Sequence, residues 1–150
     1  MKRQTARSLA LVQTSQLMSE PFRSVNVRVP TPDGTMYVTI MENENRRPFQ
    51  ILINIGKAGT SVSAWADALS RIVSKLFETG VGVNEIIEEF SLMGTDKVAR
   101  MDDGSQVHSG PEGVAVALMR YRSGKFQELK EQLGVVDSEE EEDGRPTIGR

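Results

Sequence analysis

The chain has no cysteine, one histidine and one tryptophan in 150 residues, and aromatic residues make up only 5%. Without cysteine there are no disulfides, thiolate metal sites, cysteine nucleophiles or thiyl radicals. A single histidine assembles no convincing Ser-His-Asp constellation. The sparse aromatics are not interleaved with basic residues, as an RNA-stacking surface would require. No apolar run approaches the roughly 18 residues of a membrane span. The start is basic, but Leu9-Ala10-Leu11-Val12 is too short for a signal-peptide core. The expectation is a soluble, cytoplasmic protein with no membrane contact, no cofactor and no resident metal.

What is present fits one domain with polar ends. Hydrophobic residues reach 38%, low for a chain that is folded throughout. Residues 137–143, DSEEEED, hold six of the 21 acids and no base. Setting aside residues 137–150, which also carry Arg145 and Arg150, leaves 16 bases against 15 acids. The net charge of −3 therefore belongs to a tail. We divide the chain into a basic flexible arm (1–22), an α+β domain (23–134) and an acidic disordered tail (135–150). A short helix is expected in the arm from Ser8 to Met18. The tail reads as solubilising, or more sharply as a decoy for nucleic acid or a contact for a basic partner.

Within the domain the hydrophobic period changes once. Val25, Val27 and Val29 alternate with polar residues and predict a strand. The turn formers Pro30–Gly34 follow, then a second strand over Thr35–Met41, a polar turn over Glu42–Arg47 and a third strand over Pro48–Ile55. From Ser61 to Thr79 the residues Val62, Trp65, Leu69, Ile72, Val73, Leu76 and Phe77 form one helical stripe that Gly80 ends. Val83–Leu92 predicts a second helix with Asn84 as a candidate cap. Gly94–Gly110 reads as irregular. A last helix starts at Pro111, carries Val114, Val116, Ala117 and Leu118, and ends at Gly134. The predicted fold is α+β, a small antiparallel sheet of about three strands with helices on one face.

The segment Gly56-Lys57-Ala58-Gly59-Thr60-Ser61 joins the third strand to the long helix. Glycines let backbone approach a ligand, the helix start presents unpaired N–H groups, and Lys57 adds a full charge. Together they suit a phosphate or carboxylate. The phosphate-loop spacing G-x-x-x-x-G-K-[ST] is absent, and a glycine turn with Thr60 or Ser61 as a simple cap remains the alternative. Arg46, Arg47 or Arg100 would complete the site from neighbouring loops or from a second subunit. His108 near Asp102 and Asp103 lacks metal-ligand spacing. Glu85, Glu88 and Glu89 read as a solvated helix face. Trp65 reads as core, and Tyr37 faces either side of its strand.

Tyr37-Val38-Thr39, Arg47-Pro48-Phe49 and Asn54-Ile55-Gly56-Lys57-Ala58-Gly59, followed by the long helix and Gly82–Glu89, resemble the TSCPD domain. That family is found at the C-terminal end of adenosylcobalamin-dependent ribonucleotide reductases and as small stand-alone proteins. The similarity covers roughly residues 25–120. The family's naming motif, Thr-Ser-Cys-Pro-Asp, falls on His108-Ser109-Gly110-Pro111-Glu112, with Gly110 in place of Cys and Glu112 in place of Asp. Family cysteines near the first strand turn are replaced as well, by Pro32-Asp33-Gly34. The resemblance implies a shared fold and ligand surface without reductase chemistry, which needs cysteines this chain lacks.

The function expected is therefore a non-catalytic module with no catalytic residues. It would bind a nucleotide or other phosphate-bearing molecule through residues 56–61, either as a regulatory partner of a nucleotide-metabolism enzyme or as a sequestering protein, for example a viral one. The alternative is a protein–protein interaction module with no small-molecule ligand. A small enzyme using an Asp or Glu pair is a third reading. A twofold homodimer is expected because a three-stranded sheet has edges to protect.

Overall fold

The computed structural model describes residues 22–134. The arm helix expected over Ser8–Met18 and the acidic tail lie outside these residues.

Three strands, β1 (Ser24–Thr31), β2 (Gly34–Glu42) and β3 (Pro48–Ile55), form an antiparallel sheet in chain order. Then come α1 (Ser61–Glu78), α2 (Val83–Ser91), a two-residue ribbon of β4 (Ala99–Arg100) and β5 (Gln106–Val107), and α3 (Gly110–Leu133). The architecture is α+β, as expected. The region read as irregular contains the β4–β5 ribbon, which touches β1. At α2 the cap is Gly82, whose N–H donates to the Glu85 carboxylate at 3.2 Å; Asn84 lies inside the first turn.

Period-two alternation decides which side of the sheet is buried. Val29, Met36, Val38, Ile40, Ile51, Ile53 and Ile55 point inward and are nearly inaccessible. They pack against Ala66, Val73 and Phe77 of α1, Ile86 and Ile87 of α2, and Val114, Ala117 and Leu118 of α3. α1 runs along β3, α3 lies over β1 and β2, and α2 packs on α3.

Two serines of α1 seal one edge of the sheet. The Ile53 N–H donates to Ser70 Oγ at 2.8 Å, and the Ile51 N–H to Ser74 Oγ at 3.1 Å. Ser74 returns a bond to the Ile51 carbonyl. Four helical residues rise about 6 Å and two strand residues about 6.8 Å, so serines at i and i+4 meet successive outward amides. This satisfies donors that an exposed edge would offer to other chains.

Candidate functional site

The loop after β3 is shaped by two glycines. Gly56 has φ 69° and Gly59 φ 81°, values that favour glycine over any residue with a Cβ. All six residues from Gly56 to Ser61 are exposed. Thr60 is the N-cap of α1, with extended backbone, and its hydroxyl accepts the Ser63 N–H at 3.2 Å. Thr60 also braces the loop: its hydroxyl donates to the Lys57 carbonyl at 2.8 Å, and its N–H donates to the same oxygen at 3.3 Å. The Ser61 and Val62 amides find no acceptor among the described residues. The first turn of α1 carries no acid, and Lys57 pairs with no described carboxylate. Two N–H groups without a described acceptor, the positive helix end and one ammonium without a described partner thus sit together at an exposed loop.

The arginines grouped with this loop in the sequence do not meet it within one chain. Arg46 and Arg47 lie in the β2–β3 hairpin, at the other end of β3, a strand about 24 Å long. Arg100 lies in the β4–β5 ribbon, beside β1 and across the sheet from β3.

Arg46 belongs to a buried charge cluster that the sequence did not reveal. Glu42, read as a turn residue, is the last residue of β2, and its side chain is 1% exposed. Glu42 Oε1 accepts from the Tyr121 hydroxyl at 2.6 Å and lies 3.2 Å from Lys125 Nζ. Its Oε2 lies 3.8 Å from Arg23 Nε and 4.0 Å from Arg46 Nη1, with no hydrogen-bond donor among the described residues. Both arginines also pair with Glu128, and Lys125 donates to the Arg46 carbonyl. Burial pushes the Glu42 carboxyl up, but the Tyr121 and Lys125 hydrogen bonds and the nearby cations outweigh it and hold its pKa below the ordinary value. The Tyr121 phenol is pushed up, first by burial and then by its bond to Glu42.

Beside this cluster an open cavity of about 400 Å³ is lined by Tyr121, Lys125, Arg122, Asn84, Glu85 and Pro48, with Gly82 and Val83. Its polar groups largely answer one another: Arg122 donates to Asn84 at 2.7 Å, Glu85 holds the Gly82 N–H, and Tyr121 and Lys125 hold Glu42. The cluster is a clamp that fastens α3 to the end of β2 and the hairpin.

At the start of α3, Ser109 is the N-cap and accepts the Glu112 N–H at 3.0 Å, while its hydroxyl donates to the Met93 carbonyl. Glu112 in turn accepts the His108 N–H and lies 3.1 Å from His108 Nδ1. Gly110 presses on Trp65: a Cβ there would lie 2.2 Å from Trp65 Cη2. No group of three or more metal-ligating side chains occurs among the described residues.

The TSCPD domain family matches residues 15–122. The chain belongs to the TSCPD domain family. No curated protein and no solved structure matches the chain. Membership makes it a module related to ribonucleotide reductases. This TSCPD chain has no cysteine, and at Gly110 the indole of Trp65 fills the space that a side chain would need. Ser109 and Glu112 on either side of it cap α3. Among the described residues no helix is long and apolar enough to cross a membrane.

Proposed function

We propose that this TSCPD domain is a non-catalytic module that binds a nucleotide or another phosphate-bearing ligand, acting as the regulator of a nucleotide-metabolism enzyme or as a sequestering protein. The observation that carries the reading is the Gly56–Ser61 loop, where the amides of Ser61 and of the half-buried Val62, unsatisfied among the described residues, stand beside a Lys57 that pairs with no described carboxylate. Such donors hold an anion without breaking a bond. Arg46, Arg47 and Arg100 join this site only if a second copy supplies them.

Titration calorimetry with a panel of nucleotides tests the reading. Binding is expected, and Lys57→Ala should weaken it about tenfold or more. Absence of binding by every nucleotide, with the fold intact, overturns it.

A second reading, a protein–protein interaction module, draws on one feature. Leu92 is 83% exposed, and Met93 and Val98 in the same connection are also exposed. Capture of a partner that survives Lys57→Ala and is lost on Leu92→Asp would favour this reading.

A further inference from the structure

The helices cover one face of the sheet, and no described element covers the other. Its outward positions form cross-strand rows. Arg28, Tyr37 and Asn54 make one row, and Asn26, Thr39 and Leu52 the next. Thr39 Oγ1 donates to Asn26 Oδ1 at 2.6 Å, which fixes both side chains on this face. Tyr37 stands on the middle strand with 54% of its surface exposed. Its ring is stacked on no other ring and under no cation among the described residues.

The charge of this face is one-sided. The outward residues Ser24, Asn26, Arg28, Pro30, Thr35, Tyr37, Thr39, Met41, Gln50, Leu52 and Asn54 include no acid. Arg28 is their only charge, and its side chain pairs with no described carboxylate. With one arginine and no acid among its outward residues, a face of this kind suits an anionic, planar molecule. Asn54 adds an amide that both donates and accepts, which is what the edge of a nucleobase requires. The face also runs into the glycine loop: Lys57 follows Asn54 by three residues, at most about 10 Å of chain.

We infer that the open face of the sheet seats the base of a nucleotide. The base stacks on Tyr37, Asn54 reads its edge, Arg28 stands at its rim, and its phosphate reaches Lys57 and the loop. This inference rests on the loop being the phosphate site, and it narrows the ligand to a nucleotide. A lone aromatic seats one base, so the occupant is a mononucleotide and not a strand.

The test compares ATP, GTP, CTP and UTP with inorganic tripolyphosphate by calorimetry on the full chain. The variants are Tyr37→Thr, which keeps a β-branched residue in the strand, Tyr37→Phe, and Lys57→Ala. Tyr37→Thr is expected to weaken the tightest nucleotide about tenfold while leaving tripolyphosphate unchanged. Tyr37→Phe should bind as the wild type, and Lys57→Ala should weaken both ligand kinds. Equal affinity of nucleotide and tripolyphosphate, or nucleotide binding unaffected by Tyr37→Thr, overturns the base seat and leaves the phosphate loop standing. If neither kind of ligand binds, both proposals fall. An oligonucleotide binding at least a hundredfold tighter than any mononucleotide overturns the single-base occupant.

Discussion

The two ends of β3 carry opposite kinds of polarity. At the Pro48 end, Glu42, Glu128, Arg23, Arg46 and Lys125 answer one another around a carboxylate 1% exposed. At the Ile55 end, one lysine and two amides answer nothing among the described residues. The denser charge is the structural one. Polar groups already paired hold a fold together, and donors held open to water are the ones left for a ligand.

The strongest test of that contrast is Glu42→Ala. It leaves Tyr121 and Lys125 without their acceptor and Arg23 and Arg46 without the carboxylate beside them, so stability in urea denaturation should fall by about 2–4 kcal/mol. The figure sits low in the range for a buried pair because Arg23, Arg46 and Lys125 keep 42%, 41% and 33% of their side chains in water. A change below about 0.5 kcal/mol, ordinary for a surface site, would mean that this end is no clamp.

Gly110→Cys comes next. It puts a side chain where Trp65 already sits, and should destabilise by about 1–3 kcal/mol in the same measurement. Trp65→Ala in the Gly110→Cys background should cost less than the two single losses added together, because the clash disappears. Strict additivity would show that the two positions do not compete for space.

The acid limb sharpens the comparison further. The Glu42 pKa is lower folded than unfolded, so its stabilisation is complete above the unfolded value, near 4.5, and is lost as pH falls through the folded one. Thermal melts should therefore decline below about pH 4.5, and Glu42→Gln should flatten that decline. The raised Tyr121 phenol acts in the other direction: its stabilisation holds below the unfolded value of 10.0 and is lost as pH rises. Tyr121→Phe should flatten the alkaline limb.

The smallest expected stability effect is at the loop. Lys57→Ala should change stability by less than about 0.5 kcal/mol, although the proposed ligand depends on it. A large loss would make Lys57 a structural residue and weaken the case for a site.

Much of this was readable from residue order. The valines of β1, the run of β3 and the Trp65–Phe77 stripe carry their periods within a few positions, and the strand–loop–helix junction lay where those periods changed. Glu42 was missed because it opens a polar run, Glu42–Arg47, that looks like a turn. The parity of Met36, Val38 and Ile40 was the available signal, since it carries position 42 inward. Its acceptor role was hidden, because Tyr121 is 79 residues away. The same parity places Tyr37 outward. Asn84 looked like a cap by residue type, but Gly82 and Glu85 close that helix instead.

Sequence alone determined where the strands, the long helix and the glycine loop lie, because backbone geometry imprints short periods on the placement of apolar residues. Tertiary structure decided which charges are buried and satisfied, which arginines stand far from the loop, and that Trp65 occupies the space a side chain at Gly110 would need. Those outcomes depend on side chains distant along the chain meeting in space, and no local period encodes such meetings.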